Sequence, residues 1–421
     1  MDKFQIEGGK VLAGQVKISG AKNSVLPIMA ASILAAVPVR LSNVPRLRDV
    51  ETMSGLLVDM GVNINSSIRN ELQIDASSLT SFVAPYELVK TMRASFLVLG
   101  PLLARYGVAE VSLPGGCAIG ARPVDLHIKG LEALGAKIEV DSGYVKAEAP
   151  RGGLIGQEIF LPGVSVGATE NLIMAAVLAD GFTTIHNAAR EPEIVDLVDF
   201  LINMGAEIKG QGGPTIEIKG VSSLKEVSHS IIGDRIEAGT YLIAVAASGG
   251  KVQLEGFDPK HASVLLDKLK LAGAELQLDG NLLNLNMHGS RPTPVDFETD
   301  VYPGFPTDMQ AQFMVMNCIA DGRSVIHERI FENRFLHVQE LSRLGAKIEL
   351  RGNSTAVVTG VDRLKSAQVM ATDLRASSSL VIGALVAEGK STIDRIYHID
   401  RGYEDVEQKV KKLGGAIERV R

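Results

Sequence analysis

Hydrophobic and polar positions alternate along this chain in a pattern that repeats. A short phrase, an apolar residue followed by Gly-Ala or a close variant and then an alternating strand, occurs six times: Met60-Gly61-Val62, Leu134-Gly135-Ala136, Met204-Gly205-Ala206, Ala272-Gly273-Ala274, Leu344-Gly345-Ala346 and Leu413-Gly414-Gly415. The glycines are 74, 70, 68, 72 and 69 residues apart, too far for a solenoid and right for a small α/β unit. Each glycine is placed to stop a helix in the left-handed conformation before a strand begins. Upstream of the phrase an amphipathic helix is predicted, as over Pro192 to Met204 or Glu332 to Leu344. Farther upstream lies a helix apolar on all sides, as over Thr307 to Ala320 or Leu374 to Ala387, and apolarity all round implies burial.

Each repeat therefore reads strand, helix, strand, helix, strand, and five are followed by a second alternating strand such as Ile216-Glu217-Ile218-Lys219. The sixth ends at Arg421 without one, and Phe4-Gln5-Ile6-Glu7-Gly8 has the missing pattern. Residues 1–21 are thus expected to complete the last repeat. This gives two three-repeat domains, 22–230 and a discontinuous one of 1–21 plus 231–421, of α+β character built from α/β repeats.

Composition narrows the function. With 43 Lys and Arg against 49 Asp and Glu, a net charge of −6 without a basic block, neither nucleic acid nor an anionic membrane is expected as the main partner. The longest uncharged stretch, Asn23 to Val39, is broken by Pro27 and Pro38 and too short to span a bilayer. Two cysteines 201 positions apart, with no secretory signal at Met1-Asp2-Lys3-Phe4, fit a reducing cytoplasm. Nothing in the pattern sets an oligomeric state.

Local chemistry concentrates where the repeats enter their helices. Lys22 and Asn23 open the first buried helix, Arg93 the second and Arg375 the sixth, while Arg122, Arg334 and Arg401 lie in loops of repeats two, five and six. Any one of these is read on its own as a surface ion-pair residue. Six cations at corresponding helix starts and loops point to a composite site for an anionic ligand, because helix N-termini and bidentate guanidinium groups both favour phosphate or carboxylate. Cys117 sits in Pro114-Gly115-Gly116-Cys117-Ala118-Ile119-Gly120-Ala121-Arg122, a glycine-rich loop with a nearby cation. That setting opens acid and nucleophile roles beside the plain one of a small hydrophobe. Asp308 and Asp373 begin the buried helices of repeats five and six; each is either a helix cap or, among cations, a proton acceptor. The eight histidines form no metal-binding spacing, Gly383 to Ser391 misses the P-loop spacing by one residue, and no dinucleotide fingerprint follows a first strand.

Seven segments, in order along essentially the whole chain, carry a resemblance. They are Gly20-Ala21-Lys22-Asn23, Thr91-Met92-Arg93-Ala94-Ser95, Leu113 through Cys117 to Leu126, Phe305-Pro306-Thr307-Asp308-Met309-Gln310, Glu332-Asn333-Arg334-Phe335, Ala371-Thr372-Asp373-Leu374-Arg375 and Asp400-Arg401-Gly402-Tyr403. The chain resembles the enolpyruvyl transferases, specifically those that act on UDP-N-acetylglucosamine at the entry to peptidoglycan synthesis. The resemblance implies a two-domain inside-out α/β barrel. It also implies transfer of the enolpyruvyl group of phosphoenolpyruvate to the 3-hydroxyl of the sugar, by addition and then elimination of phosphate, with no cofactor and no metal.

Position by position, the resemblance gives Lys22, Arg122 and Arg401 to the phosphate of phosphoenolpyruvate, and Arg334 with Arg375 to its carboxylate. Cys117 would donate a proton to the methylene carbon or form a covalent adduct. Asp308 would take the sugar hydroxyl proton, with Asp373 assisting. Asn23 and Arg93 would meet the sugar nucleotide. Arg122, Pro123, Val124, Asp125 and Leu126, with Ser165, Val166, Gly167 and Ile330, would line the uridine and diphosphate pocket. Many relatives have a lysine where this chain has Gly163, so a diphosphate contact there must come from another group. Cysteine at 117 implies sensitivity to the epoxide antibiotic fosfomycin. Two other readings stay open: transfer to shikimate 3-phosphate, and a non-catalytic nucleotide-sugar-binding regulator.

Overall fold

In a computed structural model, which describes residues 2–115 and 123–421, the chain divides into two compact units. One holds residues 20–115 and 123–232, the other residues 2–19 and 233–421. Each has its own aliphatic core. The described residues form six four-stranded sheets, three in each unit. In the second repeat Val83–Ala84 runs parallel to Val108–Ser112, which pairs antiparallel with Tyr144–Glu148, which pairs antiparallel with Lys137–Asp141. The other five sheets follow the same order of one parallel and two antiparallel pairings.

The expected left-handed turns are present in all six phrases, with φ of 94° at Gly61, 94° at Gly135, 102° at Gly205, 102° at Gly273, 88° at Gly345 and 81° at Gly414. A side chain at these positions would force the Cβ against its own carbonyl, which glycine avoids. The strands alternate: in Thr215–Lys219 only Ile216 and Ile218 are buried. One face of each sheet thus covers helices while the other meets water.

The helices are inside. In the discontinuous unit Arg235–Ala247, Gln310–Cys318 and Ala376–Val386 pack on one another, and nearly every residue of each is buried. Lys22–Ala31, Leu99–Tyr106 and Val166–Ala176 are their counterparts in the other unit. Such helices have no solvent face on which to place polar groups, so their hydroxyls bond backward. Ser377, Ser378 and Ser379 donate to the carbonyls of Asp373, Arg375 and Ala376.

Two expectations from the sequence are revised. Of residues 1–21, only Lys3–Glu7 completes the sixth sheet, lying between Lys390–Asp394 and Ala416–Val420. Ala13–Lys17 instead runs parallel to Lys251–Glu255 in the fourth sheet, while Val227–Ser230 takes the equivalent edge in the first, beside Val39–Ser42. The first and fourth repeats have therefore exchanged their parallel edge strands, each strand sitting in one unit and the helix that follows it in the other. The second revision concerns Glu332 to Leu344, where helix is confined to Val338–Arg343. Glu328 takes up the amides of Ile330 and Phe331, so the chain enters through successive turns and the helical ladder starts only at the Leu341 amide.

Candidate active site

The residues singled out in the sequence fall into two sets, one on each unit. In the discontinuous unit the start of the fifth buried helix holds Asp308 within the turn Thr307–Met309. Its carboxylate meets two guanidinium groups, Arg334 Nη2 at 3.0 Å and Arg375 Nε at 3.3 Å. Both arginine side chains are 5% exposed and Asp308 is 29% exposed, so the acid faces outward from a buried cationic floor. Burial works against the charge of Arg375, but Tyr403, Asp234 and Asp308 outweigh it and hold the guanidinium protonated. The Tyr403 ring also lies 5.4 Å from the Arg375 guanidinium carbon. The Tyr403 hydroxyl is fixed in turn by Ser378 at 3.1 Å, Thr240 at 3.0 Å and Gln312 at 3.3 Å.

Asp373 differs from Asp308. Its Oδ1 accepts from the amides of Arg375 and Ala376 at 3.0 and 2.9 Å, which caps the sixth buried helix. Sequence alone leaves both aspartates open to both readings; the structure gives the cap to one and the ion pairs to the other. His337 is buried beside this group, and burial, opposed by Asp373 and aided by Arg334, pushes its pKa down and keeps the imidazole neutral.

Ile330 and Arg334 belong to a segment organised by Glu328, which sequence reasoning missed. Its buried carboxylate accepts from the Thr307 hydroxyl at 3.0 Å and from the Ile330 and Phe331 amides at 3.0 and 3.1 Å. Two loops distant in sequence are thereby fastened together. Arg401 ends the turn Ile396–Arg401. Its neighbour Asp400 makes a bidentate pair with Arg419 at 3.0 and 2.7 Å, and Arg419 also holds Glu407 at 2.5 Å. The last strand thus pins the segment that presents Arg401.

In the other unit, Lys22 opens its helix and pairs with the buried Asp49 at 2.8 Å. Asn23 follows it, half-buried. Arg93 starts the turn Arg93–Val98 and donates to the Pro123 carbonyl at 3.3 Å, which joins it to the segment Pro123, Val124, Asp125 and Leu126. Asp125 begins the helix Asp125–Ala133 and lies 3.9 Å from Lys129 on the exposed side. Ser165 caps the helix Val166–Ala176, its hydroxyl accepting from the Ala168 amide at 3.3 Å. Gly167 lies in the first turn, where amides point outward. Gly163 contributes no side chain, and nothing lies within 4 Å of where its Cβ would be. Cys117 and Arg122 lie outside the described residues. Asp49, like Glu328, carries no motif that would single it out, because its partner is remote in sequence.

Among the described residues no group of three or more His, Cys, Asp or Glu is placed to hold a metal ion. No helix among them is long and apolar enough to cross a membrane.

Six repeats of α/β structure with their helices inside and cations at several helix starts are the architecture of a class of carboxyvinyl-transferring enzymes. Residues 6–410 match the family model for EPSP synthase (3-phosphoshikimate 1-carboxyvinyltransferase), and the chain belongs to that family of transferases. It is 57% identical over 421 residues, the whole of both chains, to the UDP-N-acetylglucosamine 1-carboxyvinyltransferase of Shewanella halifaxensis (strain HAW-EB4). Among solved structures it is similar to the enolpyruvyl transferase NikO from Streptomyces tendae, with a TM-score of 0.88 at 25% identity, covering 100% of this chain and 99% of that one. EPSP synthase from Acinetobacter baumannii shares the fold, with a TM-score of 0.74 at 18% identity over the whole of both chains.

Proposed function

We propose that this enzyme transfers the enolpyruvyl group of phosphoenolpyruvate to the 3-hydroxyl of UDP-N-acetylglucosamine, releasing phosphate and forming a peptidoglycan precursor. The observation that carries the reading is full-length 57% identity to a transferase named for that sugar nucleotide, against 18% to an EPSP synthase. The arrangement around Asp308 supports it.

In the addition step Asp308 accepts the proton of the sugar hydroxyl, whose oxygen bonds to C2 of phosphoenolpyruvate while a proton from Cys117 reaches the methylene carbon. The product is a tetrahedral adduct that carries both the phosphate and the sugar oxygen on one carbon. In the elimination step the Cys117 thiolate, with Asp373 assisting, takes a proton from the new methyl group as the C2–O bond to phosphate breaks, so phosphate leaves and the double bond returns as an enol ether of the sugar. Arg334 and Arg375 neutralise the substrate carboxylate, and Lys22, Arg122 and Arg401 the phosphate, whose charge is roughly −1.5 to −2 near neutral pH. The thiol of Cys117 is also the group expected to form a covalent adduct with phosphoenolpyruvate and to be alkylated by fosfomycin. The reaction needs no cofactor.

Replacing Cys117 by alanine separates a catalyst from a nucleotide-sugar-binding regulator. The expected result is turnover reduced roughly a hundredfold or more with the affinity for UDP-N-acetylglucosamine kept within about threefold. Calorimetric titration together with a phosphate-release assay measures both. Wild-type protein that binds the sugar nucleotide but never releases phosphate would favour the regulator.

A further inference from the structure

Three segments of the unit built from residues 20–232 carry the groups assigned to the sugar nucleotide: the turn Arg93–Val98, the start of Asp125–Ala133 and the start of Val166–Ala176. One side chain ties all three together. Asn171 is fully buried, and its Oδ1 accepts from the Gly100 amide at 2.6 Å. Its Nδ2 donates to the Phe96 carbonyl at 3.3 Å and meets His127 Nδ1 at 3.0 Å. The helices approach closely here: a Cβ at Gly100 would lie 2.4 Å from both the backbone and the side-chain oxygen of Asn171.

The donor pattern sets the state of His127. An amide N–H of Gly100 demands the Asn171 oxygen, so the group facing His127 is the NH2, and His127 Nδ1 must accept. The ring proton then sits on Nε2. Burial, reinforced by the charge of Arg93, pushes the His127 pKa down to about 3, in keeping with a neutral ring. The Nε2 edge faces the backbone at Gly167, where a Cβ would lie 3.4 Å from Nε2 and 3.3 Å from Cε1. Phe96 closes the ring edge-on at 5.2 Å between centroids.

We propose that Asn171 and His127 form a positioning strut for the sugar nucleotide, setting the spacing of Arg93, Pro123–Leu126 and Ser165–Gly167. The proposal rests on the reading that those three segments bind UDP-N-acetylglucosamine. Apolar side chains would fill this space without the cost of desolvating an amide and an imidazole. What the polar pair adds is direction, since a hydrogen bond holds three elements in one register where apolar packing would let them slide. The strut touches no reacting group, so it acts on affinity for one substrate and leaves the chemical step alone.

Two polar substitutions separate this role from plain core filling. His127→Asn places an amide oxygen where Nδ1 stands, whereas His127→Gln carries its amide one bond farther and leaves no acceptor there. The dissociation constant for UDP-N-acetylglucosamine is expected to stay within about threefold of wild type in His127→Asn and to rise about tenfold or more in His127→Gln. In both, kcat and the KM for phosphoenolpyruvate should stay within about twofold. If the glutamine variant does not fold, as judged by its thermal melt, His127→Leu makes the same cut. Equal sugar-nucleotide affinity in wild type and both variants would overturn the strut while leaving the functional reading standing, as would a parallel loss of affinity for both substrates. Wild-type protein that does not bind UDP-N-acetylglucosamine would overturn that reading, and the strut with it.

Discussion

Asp308→Asn is expected to lower kcat roughly a thousandfold while the protein stays folded and still binds UDP-N-acetylglucosamine. The substitution keeps the shape of the side chain and its place over Arg334 and Arg375. It removes the capacity to take a proton. The two arginines then face a neutral amide, which weakens the hold on the side chain but leaves Gln312, bonded to the Asp308 carbonyl at 2.8 Å, to keep the turn in place. Steady-state kinetics with a melting curve test this. Activity within about tenfold of wild type would mean that another group accepts the proton.

Arg375→Ala is the second large effect. Its guanidinium is buried, pairs with Asp308 and lies over the Tyr403 ring, so its loss removes the cation proposed for the substrate carboxylate and leaves space in the core. Removing one member of such a pair costs about 3–5 kcal/mol when the remaining charge is wholly buried. Asp308 keeps Arg334 and some contact with water, so a loss near 2–3 kcal/mol is expected. The kcat/KM for phosphoenolpyruvate should fall roughly a hundred- to a thousandfold. Arg375→Lys should recover much of the stability and little of the activity, because a lysine cannot reproduce the planar fork. A lysine variant with nearly full activity would show that charge alone matters at this position.

How far the fold was legible depends on the range of the interactions involved. The six helix-ending glycines were readable because the signal is local: one residue, one backbone conformation, then a strand. The burial of Gln310–Cys318 and Ala376–Val386 followed from their apolarity. The exchange of Ala13–Lys17 and Val227–Ser230 between repeats was not readable, since an edge strand carries no mark of the sheet it joins. The same holds for the site. Cations at helix starts stood out by position, but the contrast between Asp308 and Asp373 depends on Arg334, 26 residues from one of them and in a different loop. Asn171, which follows Thr169 and Glu170 in its helix, carries no mark in the sequence of what it connects; only its contacts with Phe96, Gly100 and His127 show it.

The most direct measurement combines the protein with phosphoenolpyruvate and UDP-N-acetylglucosamine without added metal, following phosphate release and the mass of the sugar nucleotide together. Phosphate appearing in step with enolpyruvyl-UDP-N-acetylglucosamine is the predicted result. Phosphate released only when shikimate 3-phosphate replaces the sugar nucleotide would contradict it.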